Sequence, residues 1–109
     1  MTDSKALEKI KKLEGKKKSD GIIKLMHKAD TETIVAALEA LGNIADEDSN
    51  NTIAHYFNNE DKALRIASCE QGIKLGTEYM HTRVRHQLAI EQDADVKKAI
   101  QDAFNKHAK

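Results

Sequence analysis

The side chains able to do chemistry in this chain are one thiol, five histidines, two tyrosines and equal numbers of acids and bases. Their spacing decides what each can do. In the run HTRVRH, His81 and His86 stand five apart, which turns them about 140° from one another on a helix. A zinc pair on one helix face needs i, i+4 spacing, so a solvated face is expected instead, with His81 beside Arg85 or Arg83 beside His86. Cys69 has no histidine or aspartate close in sequence to activate it, so a partly buried packing thiol is expected. His55 and Tyr56 are adjacent and point in different directions. Tyr56 reads as a ring in the core with a polar tip rather than an exposed anchor. No Gly-rich phosphate loop and no nucleophile elbow is present. The expectation is a protein that is not an enzyme, with no catalytic residues, no cofactor and no metal.

One arrangement of charge does recur. Glu8, Glu39, Glu70 and Asp102 are spaced by 31 or 32 residues, and four residues after each stand Lys12, Asn43, Lys74 and Lys106. Glu followed by Lys at i, i+4 supports an exposed helix by roughly 0.2 to 0.5 kcal/mol and needs no partner. If the helices stack, the same positions form an acidic row beside a mostly basic one, a surface suited to a polar peptide or a complementary protein face. On this second reading the partner-binding residues are Glu39, Asn43, Glu70, Lys74, Asp102 and Lys106.

These residues need helices to carry them, and the composition supplies helices. The 109 residues include no Pro, five Gly and 4% aromatics, which fits badly with a turn-rich β-sandwich. A chain of this length makes one domain with a modest core. One cysteine excludes internal disulfides and zinc ribbons. The 18 Lys and Arg balance the 18 Asp and Glu, so a duplex-binding footprint is absent, and so few aromatics make no stacking platform for single strands. Specific nucleic-acid binding is therefore not expected. No apolar run is long enough for a signal peptide or a membrane span, and a cytoplasmic protein is expected.

Four segments lie over one another: SKALEKIKKLEG, TIVAALEALGNIAD, LRIASCEQGIKLGT and VKKAIQDAFNKHAK, beginning near residues 4, 33, 64 and 96. Within them Ala36, Leu41 and Ile44 fall over Ala67, Gly72 and Leu75, and over Ala99, Phe104 and His107, predicting one buried helical stripe. Shorter runs lie between. There Ile22, Ile53 and Val84 share a column, as do Met26, Phe57 and Leu88. Ser19, Asn51 and Thr82 are the expected caps of these first helices. Asp30, Asp61 and Asp95 are placed at the junctions, where a carboxylate accepts from the free N–H groups of the next helix.

The acidic turn before each second helix, the pattern in IVAALEALGNIAD and LRIASCEQGIKLG, and the period near 31 resemble HEAT-like repeats, in particular the short bacterial and archaeal, phycobilisome-lyase-like type. The turns lack the family's common Pro, and Arg65 alone clearly fills its basic position. The resemblance implies an all-α fold, an α-α superhelix of about three helix pairs plus an N-terminal capping helix, with second helices on the concave face. As one domain, the chain divides into a cap at 1–18 and repeats at about 19–47, 48–78 and 79–109. Terminal units must be polar outward. Lys5, Lys9, Lys11, Lys12 and Lys16 to Lys18 at one end, and Lys106, His107 and Lys109 at the other, meet that need. Residues 1–18 carry +4, seven Lys against Asp3, Glu8 and Glu14, which reads as a solvated end rather than a lipid or nucleic-acid site. The implied function is a small protein-interaction scaffold. Alternatives are an enzyme subunit of the lyase or DNA glycosylase kind and a structural subunit of a larger assembly. Neither activity carries over: there is no Trp to stack a base, no basic lining for DNA and no bilin-attachment set. The partner is expected to be a protein or peptide and the chain a monomer. From the initiating Met and the capped ends a complete product is expected.

Overall fold

A computed structural model describes residues 4–107; Asp3 and Lys109 of the two polar ends lie outside them. Seven helices follow in order: α1 (Ser4–Gly15), α2 (Ser19–Met26), α3 (Thr31–Ile44), α4 (Glu47–His55), α5 (Lys62–Leu75), α6 (Glu78–Ile90) and α7 (Ala94–His107). There is no strand among the described residues. The odd-numbered helices pack side by side, α1 on α3, α3 on α5 and α5 on α7, and the pairs α2/α3, α4/α5 and α6/α7 lie beside one another. The even-numbered layer is looser: α2 touches α4, but α6 makes no comparable contact with α4. A stack packed more tightly on one side curves toward that side, so α1, α3, α5 and α7 line the inside.

The column Ile22, Ile53 and Val84 is fully buried. It joins the two layers, each member filling the space between a first helix and the second helices behind it. Met26 and Phe57 are buried as well, while Leu88, under the last and least covered repeat, is half-buried. In the second helices the stripe runs wider than the periodicity predicts. Leu41, Ala67 and Gly72 are buried, but Ala36, Ile44, Leu75, Ala99 and Phe104 are half-buried and His107 is exposed. Leu38, Cys69, Ile73 and Ile100, on the adjoining arc, are as fully enclosed as Leu41. A second helix in a stack has a neighbour on each side as well as its partner in front, so more than one stripe is covered. Gln101, which shares Cys69's column, is exposed because no helix follows α7 among the described residues.

Helix starts explain the register. Asp30 accepts from Thr33 N at 2.8 Å and Asp61 from Ala63 N at 2.9 Å, as predicted. Asp93, not Asp95, caps α7, accepting from the backbone N–H of Asp95 and Val96. Likewise α4 is capped by Asp46 through Ser49 N and α6 by Thr77 through Met80 N, in place of Asn51 and Thr82, which lie inside the helices. A side chain caps only from the residue whose own backbone is still extended, and Asp46 (ψ 177°) and Thr77 (ψ 151°) have that conformation. Ser19 begins α2 but donates its hydroxyl to Asp46 Oδ2 at 2.7 Å rather than capping its own helix.

The caps also tie repeat to repeat. Thr31, just after cap Asp30, donates to cap Asp61 at 2.8 Å, and Lys62, just after Asp61, reaches Asp95 at 3.1 Å and cap Asp93 at 3.7 Å. Beside them Arg65 grips Glu91 with two bonds, Nε to Oε1 at 3.0 Å and Nη2 to Oε2 at 3.1 Å. Its remaining donor, Nη1, serves the Asn59 and Glu60 carbonyls of the loop before α5.

Candidate functional site

The second-helix face holds a groove of about 650 Å³ between α5 and α7, lined by Glu70, Gln71, Lys74, Ala99, Asp102, Ala103, Lys106 and His107. Four of the six residues predicted to meet a partner therefore face one hollow. The small floor residues Ala99 and Ala103 create it, because a side chain of one carbon leaves the gap between two helices unfilled. Glu39 and Asn43, one repeat back on α3, continue the two rows. The charge of Glu39 reaches Glu70, and Lys74 Nζ donates to Asn43 Oδ1 at 2.8 Å. Asn43 Nδ2 in turn donates to Glu14 on α1 at 3.2 Å, so polar contacts cross three successive second helices.

Within the rows, the bonding is not what i, i+4 spacing alone predicts. Among the described residues neither Glu8–Lys12, Glu70–Lys74 nor Asp102–Lys106 forms an ion pair. Asp102 instead holds Lys98 of the preceding turn at 2.9 Å. Lys74 is drawn across to the next helix by Asn43 and leaves Glu70 behind. The Glu70 carboxyl is consequently held above the usual range, first by the protein crowding it and then by the charge of Glu39, with Lys106 partly offsetting both. A carboxylate left between another carboxylate and a distant ammonium is electrostatically under-served, and a cationic group entering the groove relieves that state.

The other candidates are placed plainly. His81 is half-buried, not on a solvated face: its Nε2 lies 3.0 Å from the Ile73 carbonyl and its ring meets Phe104 edge-on at 5.4 Å. Arg85 lines the same hollow as His81, with its guanidinium 5.2 Å from the centre of the Phe104 ring. Arg83 and His86 are exposed on α6 as expected. Cys69 is fully rather than partly buried, and burial, with the charge of Glu91 nearby, pushes its thiol up to about 12. A thiol held protonated in that way is no nucleophile. Tyr56 is half-buried and, with His55, His27 and Ile23, lines a shallow hollow of about 390 Å³ between α2 and α4. No group of three or more metal-ligating side chains is assembled among the described residues.

The most enclosed charged group among the described residues, Glu91, carries no signal in the sequence. Its side chain is only 3% exposed, yet it sits in the polar run EQDAD and its partners Arg65 and Gln87 lie 26 and four residues away. Burial alone would raise its pKa, but the hydrogen bonds from Arg65, Gln87 and the Asp93 N–H outweigh burial and hold the carboxyl below the usual range.

Paired helices, tighter packing on the second-helix side and acidic caps repeating every 31 or 32 residues agree with a comparison against known families, in which the model for HEAT repeats matches residues 19–105. The chain belongs to the HEAT-repeat family. No curated protein and no solved structure matches it. HEAT repeats are commonly protein-interaction scaffolds and generally not enzymes. No helix among the described residues is long and apolar enough to cross a membrane.

Proposed function

We propose that this HEAT-repeat protein is a non-catalytic scaffold that seats a charged peptide segment, or the edge of a folded partner, along its second-helix face. The observation that carries the reading is the groove between α5 and α7, whose two walls bring Glu70, Lys74, Asp102 and Lys106 to one hollow in which Asp102 is taken up by Lys98 while Glu70 and Lys106 have no ion pair among the described residues. A pre-formed groove with unpaired charges of both signs selects a partner by complementary charge order. Glu39 and Asn43 extend the same rows along α3. In this reading the chain is a cytoplasmic monomer, one domain with repeat boundaries near residues 47 and 78, and its short period is the feature that favours the short bacterial and archaeal subtype.

The test is a selection of displayed random peptides on the immobilised protein, repeated on the Glu39→Lys, Glu70→Lys, Asp102→Lys variant. All three side chains are exposed, so the far-UV circular dichroism of the variant is expected to match the wild type. Peptides rich in Lys or Arg, enriched on the wild type and lost on the variant, support the reading. Peptides held equally by both place binding elsewhere and end it.

A further inference from the structure

A second surface lies on the opposite layer. The two exposed large apolar side chains among the described residues are Tyr79, 58% exposed, and Ile90, 54% exposed, and both are on α6. Between them at i+4 and i+7 stand Arg83 and His86, so the four residues form one stripe along about 16 Å of helix. The stripe runs along the flank of α6 that Phe57 approaches, where α6 fails to pack closely on α4. Arg83 is held ready: its Nη1 donates to the Tyr79 hydroxyl at 2.6 Å and its guanidinium lies 5.6 Å from that ring and 5.9 Å from the ring of Phe57. None of the ion pairs among the described residues includes Arg83 or Arg85. Among the described residues, Arg65 alone of the three arginines has a carboxylate partner.

The geometry points to the Tyr79–Arg83–His86–Ile90 stripe as a docking surface for an acidic amphipathic helix of a partner protein, distinct from the second-helix groove. Apolar side chains of that helix cover Tyr79 and Ile90, and its carboxylates meet the Arg83 guanidinium, which two aromatic rings hold in place for a two-pronged bond. Charge decides the sign of the partner: the stripe itself carries Arg83 and His86 and no carboxylate, on a repeat body that is otherwise net acidic. Aromatic and arginine side chains at the centre of a patch are the residues that carry most binding energy at protein interfaces.

The probe is a fluorescein-labelled synthetic helix with leucines at i, i+4, i+7 and i+11 flanked by glutamates, compared with its counterpart in which each glutamate is lysine. Fluorescence anisotropy is expected to show binding of the acidic probe alone, weakened at least about tenfold by Arg83→Glu or Ile90→Ser and reduced by added salt. Backbone amide shifts on binding are expected along α6. Equal binding of the lysine probe, no binding of the acidic one, unchanged affinity in Arg83→Glu, or shifts confined to the α5/α7 groove would each overturn the proposal. A sedimentation mass that grows with concentration and is restored to the monomer by Ile90→Ser would assign the stripe to a second copy of the chain and overturn it too.

Discussion

Replacing Glu91 by Gln isolates the contact that ties the last repeat to the one before it. Oε1 accepts from Arg65 Nε and Gln87 Nε2, and Oε2 accepts from Arg65 Nη2 and Asp93 N. Whichever way a glutamine side chain turns, its NH₂ faces two N–H donors. The substitution therefore removes two acceptor contacts, creates a clash of donors and leaves the Arg65 guanidinium, whose side chain is 16% exposed, without its counter-charge. Removing one partner of a buried pair costs about 3 to 5 kcal/mol. Because Arg65 keeps some water and two backbone carbonyls, the lower end, about 3 kcal/mol, is expected. In urea this lowers the midpoint by roughly 1 to 3 M, and in heating by roughly 10 to 20 °C for a domain of this size. The pH dependence gives an independent check. Since the folded-state carboxyl of Glu91 is held below its usual range, its contribution is complete above the unfolded value, about 4.3, and is lost as pH falls through the lower folded value. Protonated Glu91 then resembles Gln, so the gap between wild type and variant closes as pH is taken from 6 toward 3.5. A loss under about 0.5 kcal/mol at pH 7, the range of exposed pairs, or a gap that widens in acid would refute the reasoning.

Three further outcomes are expected. Gly72→Ala costs about 1 to 3 kcal/mol in a urea titration, because its Cβ would sit 2.7 Å from Phe57 Cζ and 3.1 Å from Val84 Cγ2, both on buried side chains. Cys69, its thiol fully enclosed and pushed up to about 12, resists alkylation by iodoacetamide at pH 8 in buffer and is labelled in urea, as read by mass spectrometry. Glu70→Gln leaves thermal stability at pH 7 unchanged or raises it by a few tenths of a kcal/mol, since its raised folded-state value means that the charged form opposes folding above that value and ceases to do so as pH falls through it.

The repeat architecture is legible in the sequence wherever one residue type answers one physical need at a fixed interval. Ile22, Ile53 and Val84 fill the same space three times, and Asp30 and Asp61 cap the same helix start twice. What fails is what depends on an end or on distance along the chain. The starts of α4 and α6 at Asp46 and Thr77 lie earlier than the polar residues Asn51 and Thr82 that mark the apolar run, because the first two residues of each helix, Glu47 and Asp48 or Glu78 and Tyr79, are exposed and carry no core-facing pattern. The acid and base rows were visible as columns, but not their partners: Lys74 turns to Asn43, 31 residues away, since a neighbouring helix at the same height is as close as the next turn of its own. Glu91 is invisible for the same reason, its cation arriving from the preceding repeat.

In a stack where each repeat touches only its neighbours, an added ligand acts on the interface it spans and little else. The α5/α7 groove and the α6 stripe both belong to the last two repeats, but on opposite layers, separated by the fully buried Ile73, Val84 and Ile100. Such a packed core transmits little from side to side unless it has a second arrangement to adopt, so on the two proposals made above occupation of one surface leaves the other open. On those proposals one charge-selective groove and one apolar, basic flank hold two chains of opposite character on opposite layers, which a single-faced helix stack of this length could not.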